Sequence, residues 1–214
     1  MATERIAEYR LENGEMTKII FFGDSNTYGY DPRGMLGMRY PEAARWTTQV
    51  RKALEGKYVV IEAGMNGRMI PKSKREMNQI QPFLKDWDKE DWFVIMLGTN
   101  DILLNNHPHA KDAIGRMNVF LEWLTVYVTP PRIIVIGPVP IASAFPDMEI
   151  YHEESRKMNI GFEALCQKRN VLFFDAEKWQ VDLSYDGVHF SESGHRAFAK
   201  GFLQDLRRKA ICIS

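Results

Sequence analysis

Five short apolar runs, separated by longer stretches with helical character, constrain the fold of this 214-residue chain more than any other feature. The runs are dense in valine, isoleucine, phenylalanine and leucine and show little alternation, which is typical of strands buried on both faces. They are Ile19–Phe22, Tyr58–Ala63, Trp92–Leu97, Ile133–Gly137 and Val171–Phe174. Strands of this kind that alternate with helices predict an α/β fold, in which a parallel sheet lies between two helical layers.

The stretches between the strands carry signals for helix starts and stops. Pro41 stands where a first helical turn tolerates proline, Gly56 is a natural stop, and Ser191 can cap a helix. Pro82 predicts that one of the helices is broken. The predicted helices cover residues 41–54, 73–86, 109–127, 148–168 and 192–208.

Length and composition bound the class of protein. The chain suits one domain over residues 18–214, preceded by an N-terminal extension over residues 1–17. Lysine plus arginine (28) balance aspartate plus glutamate (28), so no long-range field favours a nucleic acid or an anionic membrane as partner. The extension is charged and has no apolar core of a secretory signal. Cys166 and Cys212 are interpreted as free thiols, and we expect a soluble, cytoplasmic protein.

Small and polar residues follow the predicted strands. In a parallel sheet the carboxyl ends of the strands meet at one edge, where ligands bind. The segments that follow the strands are GDSN (23–26), GMNGR (64–68), GTND (98–101), PVP (138–140) and, beyond the fifth strand, DGVH (186–189). Hydroxyl, amide, carboxylate and imidazole groups therefore gather at this edge, which indicates a nucleophile, an oxyanion pocket and an acid–base pair.

Three of these side chains form a candidate catalytic set. The hydroxyl of Ser25 is a weak nucleophile until a base removes its proton, and His189 is the best candidate base. Asp186 can orient the imidazole if the segment forms a turn, for which Gly187 supplies backbone freedom. Taken by itself, without the other segments, Ser25 is better interpreted as an ordinary helix cap after a strand.

The oxyanion of a tetrahedral intermediate needs hydrogen-bond donors. Candidate donors are the N–H of Ser25, an N–H of the glycine-containing loop after the second strand, and the side-chain amide of Asn100. In that loop Gly67 would bring its backbone close to a substrate oxygen. Asp101 is interpreted as a helix cap, and Arg68 either contacts substrate or forms a structural ion pair.

Four of the segments together resemble the signature blocks of the SGNH (GDSL-type) hydrolases, in the order and spacing of that family. They are GDSN (23–26), GMNGR (64–68), GTND (98–101) and DGVHFSESGH (186–195), and the resemblance covers Lys18 to about Leu206. It implies a flavodoxin-like three-layer α/β/α sandwich with a five-stranded parallel sheet. It also implies ester hydrolysis with Ser25 as nucleophile, His189 as base and Asp186 as the orienting acid. The implied oxyanion hole consists of the Ser25 N–H, the Gly67 N–H and Asn100, without a metal or a cofactor.

Two further stretches, RWTTQV (45–50) and VIMLGTND (94–101), are most similar to the small intracellular aryl-esterase and acetyl-esterase branch of the family. That branch often forms homo-oligomers, which the resemblance implies for this chain. One residue departs from the family pattern, because Asn26 stands where leucine more commonly follows the serine. The departure bears on the lining of the acyl pocket rather than on the chemistry.

The sequence therefore predicts a serine esterase that hydrolyses small acyl esters, chiefly acetyl esters of sugars or of aryl and alkyl alcohols, through an acyl-serine intermediate. No large insertion that could cover a long acyl chain separates the blocks. A lysophospholipase or thioesterase, or an acyltransferase that uses the same site, remains an alternative. A non-catalytic flavodoxin-like binding module is disfavoured, because Asp24 would repel phosphate and no glycine-rich phosphate-binding spacing follows the first strand.

Overall fold

A computed structural model describes residues 16–34, 38–143 and 146–209. Most of the predicted N-terminal extension and Cys212 lie outside these residues. The sheet consists of β1 (Thr17–Gly23), β2 (Tyr58–Gly64), β3 (Trp92–Met96), β4 (Ile133–Gly137) and β5 (Leu172–Asp175). Its strand order is β2-β1-β3-β4-β5, and every pairing is parallel. The predicted five-stranded α/β fold is confirmed, and each strand begins and ends within two residues of its predicted limits.

The two faces of the sheet are covered by separate hydrophobic cores. Consecutive residues of β1 point to opposite faces, so that Ile20 and Phe22 belong to one core and Ile19 and Phe21 to the other. All four side chains are at least 96% buried. Burial on both faces explains why the strands show no alternating pattern in the sequence.

Eight α-helices surround the sheet in the described residues: α1 (Ser25–Tyr28), α2 (Trp46–Ala53), α3 (Lys74–Asn78), α4 (Gln81–Leu84), α5 (Thr99–Leu103), α6 (Ala110–Leu124), α7 (Glu149–Arg169) and α8 (Glu192–Arg208). As predicted, the hydroxyl of Ser191 caps α8, accepting from the N–H of Gly194 at 3.0 Å. The predicted break over 73–86 separates α3 from α4, whose first turn contains Pro82. No helix in the described ranges combines the length and the apolarity that a bilayer span requires.

The helix predicted over 41–54 begins later than its proline suggested. Glu42–Ala44 forms a single 3-10 turn, and Arg45 then adopts extended backbone before α2 begins at Trp46. The guanidinium of Arg45 lies 3.2 Å from the carboxylate of Glu62 on β2. A contact with the sheet edge therefore accompanies the late start of the helix, and the local sequence does not reveal it.

The topology fixes where a ligand site can form. The chain passes from β1 to β2 on one side and then returns to place β3 on the other side of β1. At such a switch point a crevice opens beyond the carboxyl ends of the two adjacent strands. The short helices α1 and α5 start at this crevice and bring Ser25 and Asn100 to it.

Candidate active site

A tight turn after β1 presents Ser25. Asp24 follows the strand and caps α1, accepting a hydrogen bond from the N–H of Asn26 at 3.0 Å, so that the helix begins at once with Ser25. Glycine is required at position 23, because a Cβ atom there would lie 2.0 Å from the hydroxyl of Thr27. Ser25 is only 7% exposed.

The predicted catalytic set is assembled in space. His189 Nε2 lies 3.0 Å from Ser25 Oγ, although the two residues are 164 positions apart in the chain. On the other side of the ring, His189 Nδ1 lies 2.6 Å from Asp186 Oδ2. Gly187 has a φ of +68°, the backbone freedom that the sequence predicted for this turn. The three side chains form one continuous hydrogen-bonded chain.

Hydrogen bonds hold Asp186 in its ionised form. Partial burial disfavours the charge, but the ring of His189 and the backbone N–H groups of His189 and Val188 all donate to the carboxylate. The donors prevail, and the pKa of Asp186 lies below its ordinary value. An ionised Asp186 keeps the proton on Nδ1 of His189, which leaves Nε2 to accept the proton of Ser25.

The candidate hydrogen-bond donors lie at the start of α1, in the loop after β2 and at the start of α5. Within residues 16–34, 38–143 and 146–209, neither the N–H of Ser25 nor that of Gly67 is engaged by a protein acceptor. Asn100 Nδ2 donates to the carbonyl of Arg68 at 3.0 Å, which uses one of its two N–H hydrogens. Gly67 is exposed and has a φ of +70°. Gly64 serves packing instead, because a Cβ there would lie 2.2 Å from the backbone nitrogen of Tyr28.

The interpretation of Asp101 as a helix cap is wrong. Gly98 occupies the cap position of α5, and Asp101 lies within the first turn. Its carboxylate accepts from the N–H of Ile70 at 3.0 Å and from the guanidinium of Arg116 at 2.7 Å. Burial raises the pKa of Asp101, although these two donors oppose the effect. Asn100 and Asp101 thus fix the loop that carries Gly67 to the start of α5.

Arg68 follows Gly67 in the same loop. Its guanidinium donates to the carbonyl of Gly23 at 2.8 Å and to that of Ala63, and it stacks 4.1 Å from the ring centroid of Phe22. Burial lowers its pKa to about 10. In the described residues it forms no salt bridge, so the predicted ion pair is not found, and it instead satisfies carbonyl groups at the ends of β1 and β2.

Asn26 contacts the histidine segment directly, which sequence reasoning missed. Its Nδ2 donates to the carbonyl of Val188 at 3.1 Å, and its Oδ1 accepts from the N–H of Phe190 at 2.9 Å. The sequence linked Asn26 only to the lining of the acyl pocket. No local signal could have revealed these contacts, since the partners are 162 and 164 residues away. The ring of Tyr30 also packs against His189, at 4.6 Å between centroids.

Two buried titratable groups lie around the set. Asp24 is buried, and burial raises its pKa to about 6, although the N–H of Asn26 and the electrostatic effects of His189 and Arg68 oppose the shift. His195 has no exposed surface, and burial lowers its pKa to about 3. His195 packs in the core, where its ring contacts those of Tyr40 and Phe190. No three histidine, cysteine, aspartate or glutamate side chains in the described ranges cluster in a way that could hold a metal ion.

Residues 21–197 match the GDSL-like lipase/acylhydrolase family. Among solved structures, the native aryl esterase of M. smegmatis is 25% identical with a TM-score of 0.75, covering 90% of this chain and 99% of that one. A carbohydrate acetylesterase family member from Sinorhizobium meliloti is 25% identical with a TM-score of 0.74, covering 90% and 98%. A second carbohydrate acetylesterase from that organism is 22% identical with a TM-score of 0.73, covering 90% and 99%, and it supports the fold alone. A search of curated proteins finds no match.

Proposed function

The chain belongs to the GDSL-like lipase/acylhydrolase family and is a carboxylic ester hydrolase, and from this premise we propose that it hydrolyses small acyl esters through an acyl-serine intermediate. The observation that supports the proposal most directly is the hydrogen-bonded chain from Asp186 through His189 to Ser25, with distances of 2.6 and 3.0 Å. It is the geometry that an activated serine requires.

The first half of the proposed reaction acylates the serine. Ser25 Oγ attacks the acyl carbon while its proton passes to His189 Nε2, and Asp186 stabilises the imidazolium that results. The negative charge on the former carbonyl oxygen is placed against the N–H groups of Ser25 and Gly67 and the remaining amide hydrogen of Asn100. The tetrahedral intermediate then expels the alcohol, which takes the proton from His189.

The second half releases the acid. A water molecule attacks the acyl carbon of acyl-Ser25, and His189 accepts a proton from that water. The second tetrahedral intermediate uses the same donors. It collapses to the carboxylic acid and returns the proton to Ser25 Oγ, so that the enzyme is regenerated and one ester bond has been exchanged for water.

We propose acetyl esters of sugars or of aryl and alkyl alcohols as the substrates. The comparison supports this choice, since the two neighbours described above at 25% identity carry esterase names, one for aryl esters and one for carbohydrate acetates. Esters of longer acyl chains and thioesters use the same chemistry and are the competing substrates. Acyl transfer to an alcohol shares the acyl-enzyme and differs only in the acceptor.

The first test replaces the nucleophile. We expect Ser25→Ala to lower turnover of 4-nitrophenyl acetate by ~10⁴-fold or more, because the covalent route is lost. The matched control is Ser193→Ala, since Ser193 is exposed and contacts Asp182 and Ser191 rather than His189. Undiminished turnover by Ser25→Ala would rule the proposal out.

The second test addresses the substrate. A series of 4-nitrophenyl esters of increasing chain length, measured beside acetylated sugars, should give its highest kcat/KM with acetyl. A maximum at a long chain would instead favour the lysophospholipase or thioesterase alternative. Product analysis with added alcohol separates hydrolysis from transfer, because a transferase would form the new ester at the expense of the free acid.

A further inference from the structure

We propose that Asn26 is a positioning residue that holds the catalytic base against the nucleophile, because its side chain forms hydrogen bonds with the backbone on both sides of His189. The inference rests on the proposed roles of Ser25 and His189 and deepens them. It assigns a task to a side chain that the chemistry of ester hydrolysis does not itself require.

The two hydrogen bonds of the Asn26 side chain lie on either side of His189. The carboxamide of Asn26 donates through Nδ2 to the carbonyl of Val188 at 3.1 Å and accepts through Oδ1 from the N–H of Phe190 at 2.9 Å. These groups belong to the residues immediately before and after His189. The carboxamide thus uses both its donor and its acceptor end on one short segment. Because Asn26 is 95% buried, water does not compete well for these bonds.

Asn26 is itself fixed at both backbone groups. Its N–H donates to Asp24 Oδ1 at 3.0 Å, and its carbonyl accepts from the indole N–H of Trp46 at 3.0 Å. Asn26 also follows Ser25 directly in the chain. The nucleophile and the segment of its base are therefore linked through a single residue whose own position is set by the turn after β1 and by α2.

The other contacts of the histidine segment do not replace this link. Asp186 contacts His189 within the same turn, so the two can move together relative to Ser25. A backbone bond from Ala142 to the carbonyl of Gly187, 2.8 Å long, attaches the turn to the loop after β4. Of the contacts described here, those of Asn26 attach the histidine segment directly to the residue that follows the nucleophile, and they set the separation of Oγ and Nε2.

The variant Asn26→Leu has a similar shape and introduces the residue that more commonly follows the serine in the family, but it can neither donate nor accept. We expect its kcat for 4-nitrophenyl acetate to fall about 10- to 100-fold, with KM changed less than about twofold, since a displaced base slows the chemical step rather than binding. Asn118→Leu is the control, because Asn118 is a partly buried amide on α6 that accepts from Arg169.

A second readout does not depend on turnover. The ring carbon-bound protons of His189, assigned by their loss in His189→Gln, should give one sharp set of NMR signals in the parent and in Asn118→Leu. In Asn26→Leu we expect these signals to broaden or split, because the ring samples more than one position. If Asn26→Leu does not fold, Asn26→Asp provides the same tests, since it keeps the acceptor for Phe190 and loses the donor to Val188.

Two results would overturn the proposal: a folded Asn26→Leu with kcat within twofold of the parent, or His189 signals as sharp as those of the parent. A parent without Ser25-dependent turnover would defeat the proposed function instead. In that case the His189 signals still decide whether Asn26 holds the segment, so the two failures are distinguishable.

Discussion

The two ends of β1 each carry a buried ionisable side chain, and the protein treats them differently. Near the start of the strand, Lys18 Nζ lies 3.3 Å from Asp91 Oδ2, and both side chains are at most 2% exposed. The backbone N–H of Lys18 also donates to Asp91 at 2.6 Å, while its ammonium group reaches the carbonyls of Lys85 and Asp86. At this end, opposite charge and hydrogen bonds offset the cost of burial.

At the other end of β1, the burial of Asp24 is only partly compensated. Within residues 16–34, 38–143 and 146–209, its carboxylate forms no ion pair and accepts a hydrogen bond from the N–H of Asn26. Burial accordingly raises its pKa to about 6. The end of the strand that stabilises the fold is electrostatically satisfied, whereas the end that carries the site retains an unfavourable charge. We therefore expect stability and function to depend on opposite ends of this strand.

The largest expected effect tests whether the site end is dispensable for folding. We expect Asp186→Asn to lower kcat by roughly 10⁴-fold, because the imidazole loses the carboxylate that fixes its tautomer. The melting temperature should change little. The measurements are esterase kinetics and thermal unfolding, with Asp182→Asn as a control in the same loop. If Asp186→Asn kept a tenth of the parent activity, the role proposed for Asp186 would be wrong.

The next effect tests the opposite end. We expect Asp91→Asn to lower the free energy of unfolding by about 3–5 kcal/mol, because it removes the carboxylate that faces the buried ammonium of Lys18. Activity per folded molecule should stay the same. Urea unfolding and active-site titration measure the two quantities, and Asp88→Asn is an exposed neighbour for comparison. A folded Asp91→Asn protein with impaired kcat would show that the two ends are coupled.

The third effect concerns Asp24 and depends on pH. The pKa in the folded chain, about 6, lies above the ordinary 3.8, so the folded state binds the proton more tightly than the unfolded state. The stability that this preference contributes is fully present below pH 3.8 and is lost as pH rises through 6. We therefore expect the free energy of unfolding of Asp24→Asn to exceed that of the parent by roughly 1–3 kcal/mol at pH 8. The difference should become smaller towards pH 4.

The comparison of variant and parent isolates Asp24. His195, whose pKa burial lowers to about 3, acts with the opposite sign, since its contribution is lost as pH falls below its ordinary 6.5. That contribution is common to both proteins and cancels in the difference between them. An equal difference at pH 4 and pH 8, measured by urea unfolding, would contradict the raised pKa of Asp24.

The sequence predicted the strands and the motif segments, but not the contacts between distant residues. The predicted strands begin and end within two residues of the observed ones, because a strand buried on both faces is a continuous apolar run in the sequence. Residues 23–26 and 186–189 could be placed at one edge because they follow predicted parallel strands and match the motif spacing. The start of α2 was not predictable, because Arg45 reaches Glu62 across the sheet edge.

The internal supports of the site were less accessible to sequence reasoning than its reacting groups. Asp101 was predicted to be a helix cap, but its carboxylate accepts hydrogen bonds from Ile70 and Arg116. Asn26 was predicted to bear on the acyl pocket, but its side chain forms hydrogen bonds with the residues that flank His189. Both side chains act on partners far along the chain. Residue type and local position leave such long-range hydrogen bonds undetermined, and the packed structure selects among them.

The smallest expected effect tests whether burial, rather than contact distance, makes the Lys18–Asp91 ion pair stronger than an exposed one. Arg196 and Glu192 on α8 are 2.9 Å apart, closer than Lys18 and Asp91, but both are more than half exposed. We expect Arg196→Gln to cost only about 0.3–0.5 kcal/mol, because water and salt screen an exposed pair. The cost should decrease further in 1 M NaCl, where the Debye length is about 3 Å. Urea unfolding at low and high salt measures it, and a loss as large as that of Asp91→Asn would mean that proximity, not desolvation, sets the strength of these pairs.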